Sequence, residues 1–237
     1  MLYLDDLAQF LDRFFAIHRY DREERGGVYL PSKRPIRRLG LALEPWAQLP
    51  QWVEQQRLDA LFLHRPWKLE LEQLNQEIGV VSYHLAFDER LTLGYNPRLA
   101  QVLCMSNFSV LGKKQGRAIG MIGNIPNGSF NHYTSMVDEV FGGKETCIGI
   151  ETEISRLAVV GAMNEALVRE AADQGAGLYI TGQLRQPAQI AVMETGIGVI
   201  AVGHRRSEQW GLRAIANILR ERWYQLEIVL PPLPIFK

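Results

Sequence analysis

Cysteine is scarce in this chain. Cys104 and Cys147 are the only two, too few to staple a secreted domain, and they form no Cys-x-x-Cys pair of the kind that grips zinc or cycles redox. A reducing compartment fits that usage. Charge of one sign is also missing: 26 basic and 26 acidic residues cancel, leaving no global field to draw in nucleic acid or an anionic membrane surface, so neither is expected as a partner. No apolar run reaches the roughly 18 residues that a bilayer span needs. The opening "MLYLDDLAQFLDRFF" carries Asp5 and Asp6 where a signal peptide would carry basic residues. These absences together predict a soluble, cytoplasmic protein. What is present is ordinary globular composition, 47% apolar and 22% charged over 237 residues, enough for a sizeable core in one compact unit or in two packed halves of roughly 100 residues each.

Apolar spacing in "LDDLAQFLDRFFAI" predicts an amphipathic opening helix. The following "PSKRPIRRLG" gathers Lys33, Arg34, Arg37 and Arg38 without a Gly-rich cradle, which reads as a solvated loop. Short apolar runs then alternate with helical patterns: "LGLALE", "LDALFLH", a helix near "ELEQLNQEIG", "GVVSYH" and a helix near "NPRLAQVL". The middle of the chain is richer in Gly and Asn. There "RAIGMIGNIP" reads as a strand before a turn, "GNIPNGS" as that turn, and Ser129 stands before the helical "FNHYTSMVDEVFGG". Alternation resumes with "RLAVVG", "NEALVREAADQG", "GLYITG", "QPAQIAVMETG", "GVIAVGH" and a final helix in "EQWGLRAIANILRERW". The pattern predicts an α/β protein with mostly parallel strands. Its expected organisation is a first half over 1–108, a middle segment over 109–155 and a second half over 156–237.

The halves correspond. "DALFLH", a helix and "GVVSYH" in the first match "GLYITG", a helix and "GVIAVGH" in the second. Ligand sites in such sheets gather at the carboxyl ends of the strands, and His64, His84 and His204 all fall there. His84 is followed four residues later by Asp88, and His204 by Glu208. Imidazoles and carboxylates converging at strand ends point to a metal site, with zinc, iron, nickel or manganese suited to those donors. His18 and His132 sit inside helical patterns with no acid at ligand spacing, so they read as structural. No Walker-type loop or Gly-x-Ser-x-Gly elbow occurs.

Four segments carry a resemblance. "LFLHRPW" (61–67) is similar to a strand ending in His-His-Pro, and "YHLAFDERLTLGYN" (83–96) to a run with Asp four residues after a histidine. "GLYITGQL" (177–184) is similar to a Thr-Gly-Glu segment and "GHRRSEQWGLRAI" (203–215) to Gly-His-x-x-x-Glu. In this order they resemble the Nif-three-like family of dinuclear-metal-centre hexameric proteins, the GTP cyclohydrolase-like group. The resemblance implies an intertwined, pseudo-repeated two-domain α/β fold with mixed, mostly parallel sheets. It also implies a toroidal homo-hexamer with metal facing the ring interior. It carries the family's metal ligands onto His64, Asp88, His204 and Glu208, with Asp88 and Glu208 as bridging carboxylates and His84 as an acid/base or orienting group.

Two positions depart from the family pattern. Arg65 stands where a second consecutive histidine is usual, and a guanidinium offers donors only, so it opposes a cation rather than ligating it. Gln183 stands where a glutamate is expected and removes one negative charge. One or two divalent ions per chain are therefore expected, with one favoured. Two functions follow. One is a metal-dependent hydrolase acting on a nucleotide or other phosphorylated small molecule through a metal-activated water, with Arg65 gripping the substrate anion. The other is a non-catalytic ring that stores, delivers or senses metal, or serves as a scaffold.

Overall fold

The computed structural model describes residues 1–74 and 77–232. In chain order the first elements are α1 (Leu4–Phe15), β1 (Gly27–Leu30), β2 (Arg38–Ala42), α2 (Leu49–Gln55), β3 (Ala60–Leu63), β4 (Gly79–Ser82) and α3 (Leu85–Leu91). After them come α4 (Pro97–Val102), β5 (Ser106–Val110), β6 (Lys113–Lys114), β7 (Arg117–Ala118), β8 (Gly120–Gly128), α5 (Phe130–Phe141) and β9 (Thr146–Ile148). The last stretch holds β10 (Ile154–Val160), α6 (Glu165–Asp173), β11 (Leu178–Thr181), α7 (Gln186–Thr195), β12 (Gly198–Ala201), α8 (His204–Arg222) and β13 (Glu227–Val229). The protein is mixed α/β with two mixed sheets. Its chain divides into two compact units, one built from Met1–Phe87 and the segment from Leu212 onward, the other from Asp88–Gly211. The chain leaves the first unit inside α3 and re-enters it inside α8.

The first unit holds a five-stranded sheet in the order β1-β4-β3-β2-β13. The four strands from β4 to β13 are parallel, and β1 closes one edge antiparallel. β3 (Ala-Leu-Phe-Leu) and β4 (Gly-Val-Val-Ser) are buried along their whole length, the expected signature of parallel strands covered on both faces. One layer of the core packs Trp52, Val53, Leu61, Leu63, Ile78 and Val80 together. α1 forms where the 3.6-residue period predicts it, burying Leu4, Leu7, Ala8, Leu11 and Phe15. The Asp6 carboxylate accepts from the Tyr3 backbone N–H at 3.0 Å, and Ala16 ends the helix in the left-handed conformation.

The second unit holds a six-stranded sheet in the order β5-β8-β10-β11-β12-β9. Its central strands β10, β11 and β12 are parallel, whereas β8 and β9 run antiparallel to their neighbours. β10, β11 and β12 thus repeat the parallel arrangement of β2, β3 and β4. Side-chain oxygens of Asn96, Ser129 and Asn164 cap α4, α5 and α6.

Four expectations need correction. The helix near "ELEQLNQEIG" is absent among the described residues, which show only a 3₁₀ turn at Leu71–Gln73; Asn75 and Gln76 lie outside them. The segment has no capping side chain and its Leu71 is exposed, too little to support the costly first turns of a short helix. "GNIPNGS" is strand rather than turn, because β8 runs on to Gly128. Ile154 pairs with Gly128 and Arg156 with Asn124, so the ladder bulges between them and accommodates Pro126, which lacks an N–H to contribute. The basic segment is more tied down than a solvated loop: Arg34 pairs with Asp59 at 2.8 Å, and Arg38 opens β2 and pairs with Glu227 at 3.0 Å. Finally, α8 begins at His204, four residues ahead of the predicted start.

Candidate metal centre

The parallel register of β3 and β4 sets Leu63 beside Ser82, so the residues that follow, His64 and Tyr83, are brought level just past the strands' carboxyl ends. The His64 backbone N–H continues the ladder to the Ala42 carbonyl at 3.1 Å, and its side chain is fully buried. Nδ1 of His64 lies 3.2 Å from the Tyr83 carbonyl oxygen. A carbonyl only accepts, so Nδ1 carries the proton and Nε2 presents the lone pair, the tautomer a metal-ligating imidazole adopts. Tyr83 is itself anchored. Its buried hydroxyl donates to Asp12 Oδ1 at 2.6 Å, with the Ala8 carbonyl at 3.2 Å. Burial, reinforced by the Asp12 carboxylate, pushes the phenol far above the ordinary tyrosine range, so it remains a neutral donor.

His84 immediately precedes α3 and Asp88 lies one turn along, so the two share a helix face at i and i+4. The His84 ring packs 4.8 Å from that of His64 and edge-on to Trp67 at 5.0 Å, while Phe87 covers His64 at 4.6 Å. One donor atom from each of His64, His84 and Asp88 falls within 4.8 Å of the others, the only such group of three or more among the described residues. Ligands of a single tetrahedral ion at about 2.1 Å stand about 3.4 Å apart, so the trio must draw in by about 1 Å to close on one. Two imidazoles and a carboxylate suit zinc, iron, nickel or manganese. The donor set fits a divalent metal.

The second predicted pair sits at the equivalent place in the other unit. Past β11 and β12 the ladder continues through Val202 and Gly203, which bond to the Thr181 and Gly182 carbonyls at 2.9 Å. Gly203 then turns the chain with φ +94°, and a Cβ there would lie 2.6 Å from a Glu145 carboxylate oxygen. Only glycine fits that turn. His204 and Glu208 follow on successive turns of α8, with Nε2 and Oε1 3.0 Å apart; the Glu208 side chain is 1% exposed and that of His204 67%. The apolar run ending at His204 predicts the two residues on either side of a strand-to-helix junction. They share one helix.

Arg65 is half-buried, its Nε 3.9 Å from Glu44 Oε2. Gln183 is exposed in the turn after β11. His18 and His132 are exposed on a 3₁₀ turn and on α5, outside the metal-type group. Nothing in the residue order announces the Tyr83 carbonyl, since a main-chain acceptor has no residue signature; only the parallel register reveals it.

The Duf34/NIF3 (NGG1p interacting factor 3) family pattern matches residues 2–232. The chain belongs to this family. It is 23% identical over 236 residues to the GTP cyclohydrolase 1 type 2 homolog of Deinococcus radiodurans, covering 92% of this chain and 89% of that one. Its fold matches that of protein ybgI, a solved structure of unknown function, with TM-score 0.80 and 20% identity over 98% of this chain and 99% of that one. It also matches TTHA1606 from Thermus thermophilus, with TM-score 0.77 and 20% identity over the whole of both chains. No helix among the described residues is long and apolar enough to cross a membrane.

Proposed function

We propose that the protein is a metal-dependent hydrolase of a nucleotide or another phosphorylated small molecule, holding one divalent ion on His64, His84 and Asp88. The observation that carries this reading is the convergence of three donor atoms within 4.8 Å at the carboxyl ends of two adjacent parallel strands. His84, implied by the resemblance as an acid or base, serves as a third ligand because its donor belongs to the same group. When bound, the ion lowers the pKa of a coordinated water and so supplies a nucleophile at neutral pH. The chain's own residues do the rest. The Tyr83 carbonyl fixes the His64 tautomer, Phe87 and Trp67 shield the imidazoles, and Arg65, steadied by Glu44, pairs with the anionic group of the substrate.

His204 and Glu208 remain proposed metal ligands, as the family resemblance implies. A homo-hexameric ring is the assembly proposed, on the strength of the family membership. Mass photometry at micromolar concentration tests it directly, and a monomer alone would remove it.

The functional test is a screen of metal-reloaded protein against nucleotides and other phosphorylated metabolites, with Asp88→Asn and His84→Ala alongside. Phosphate or ring-opened product should accumulate with the native chain and fall at least tenfold with either variant. Metal retained without turnover of any compound would transfer the assignment to a storage or scaffold role. Loss of neither metal nor turnover in the two variants would overturn the site.

A further inference from the structure

A cleft of ≈ 770 Å³ opens in the first unit between α1, the segment leading into β2 and the chain that joins α8 to β13. It adjoins Arg37, which immediately precedes β2, and Leu226 and Glu227 at the start of β13. The cleft therefore sits at the amino ends of these parallel strands, whereas His64 and His84 follow the carboxyl ends of β3 and β4. It is a different place on the same sheet.

Its lining includes aromatic rings and arginines. Phe10 from α1 and Trp223 meet edge to face, with ring centroids 5.1 Å apart. Arg13, Arg37 and Arg222, all exposed, also line the cleft, with the Arg13 guanidinium donating to Gln9 Oε1 at 3.4 Å. Arg222 lies over the Trp223 ring at 5.6 Å, and among the described residues neither it nor Arg37 pairs with a carboxylate. Two acids line the cleft as well, but both are engaged: Asp6 caps α1 and Glu227 pairs with Arg38. The local balance is positive inside a chain whose total charge is zero.

We infer that this cleft binds a small phosphate monoester attached to a planar ring. Three guanidinium groups match a doubly charged phosphate better than a singly charged carboxylate, because each donates in a planar fork to paired oxygens. Aromatic side chains beside those groups give a ring a surface to pack on, an arrangement that serves planar ligands of many kinds. The cavity is of the size that holds a drug-sized molecule.

Isothermal titration of the protein with adenosine monophosphate, adenosine and inorganic phosphate, repeated on Arg37→Gln/Arg222→Gln, on Trp223→Leu and on the native protein after metal removal by chelator, tests the inference. The monoester should bind saturably, at least tenfold more tightly than either adenosine or phosphate. The double arginine variant should weaken it at least tenfold, Trp223→Leu should erase its advantage over phosphate, and removal of metal by chelator should leave it within twofold. Arg37 and Arg222 lie at the surface, so their substitution keeps the fold, as the melting curve will show. Absence of saturable binding at millimolar ligand, equal binding of phosphate and monoester, or loss on metal removal but not with the arginine variant would each overturn the assignment.

Discussion

The imidazole Nδ1 of His64 and the carbonyl oxygen of Tyr83 lie 3.2 Å apart across adjacent parallel strands. This contact decides which nitrogen of a fully buried histidine faces the other donors. It also links the metal-type group to α1, because the same tyrosine ends in a hydroxyl held by Asp12.

Tyr83→Phe removes that hydroxyl and leaves the carbonyl in place. The lost hydrogen bond to a charged acceptor should cost about 2 kcal/mol, a drop of roughly 4–8 °C in melting temperature for a chain of this size. Metal content per chain should not change. Calorimetry and elemental analysis on the same preparation read both, and a loss of metal without a loss of stability would contradict the division of labour.

Tyr83 and Tyr179 should make the protein labile to alkali. Burial is the main cause that raises both phenols, with help from Asp12 at the first and Glu170 at the second. The unfolded chain sheds these protons near pH 10 while the folded chain keeps them. Stability from this source is complete below about pH 10 and declines above it, by roughly 1.4 kcal/mol per pH unit for each tyrosine. Denaturant melts from roughly pH 8 to roughly pH 11, on either side of the free phenol value, should show the decline. It should be halved in Tyr179→Phe.

Arg117→Met should be severely destabilising. The guanidinium Nε lies 3.2 and 3.0 Å from the two carboxylate oxygens of Glu89, and both side chains are nearly excluded from water. Removing the cation strands a buried anion, at a cost of about 3–5 kcal/mol. The double variant Glu89→Leu/Arg117→Met should recover most of that loss in urea unfolding. A double variant no better than the single one would show that the pair contributes more than charge balance.

Arg65→His exchanges a fixed cation for a ligand beside His64. Metal content should rise from one ion per chain toward two. Both proteins, purified without chelator and reloaded with the same metal, can be compared by elemental analysis; two ions in the native chain, or no gain in the variant, would remove the role given to Arg65.

Much of this architecture could be read from residue order because parallel strands buried on both faces spell continuous apolar runs, as β3, β4, β11 and β12 do. His64, His84 and Asp88 were legible for a related reason: strand ends collect functional side chains, and a four-residue offset across the start of α3 joins two of them. Tertiary pairing hid the remainder. Asn, Gly and Pro in "GNIPNGS" carry turn chemistry, yet a bulge between β8 and β10 absorbs them into the sheet. The amino-end cleft is not legible in residue order because its arginines and aromatics come from three distant stretches of chain, and no spacing rule connects Phe10 with Trp223.

β13 pairs with β2 although residues 88–211 intervene as a unit of their own. During translation the outer edge of β2 must therefore stay open while that entire unit emerges from the ribosome. An open edge is a template for foreign strands. Arg37 and Arg38 stand at the start of this one, where two positive charges discourage a passing nascent chain until Glu227 arrives to neutralise Arg38 and close the sheet.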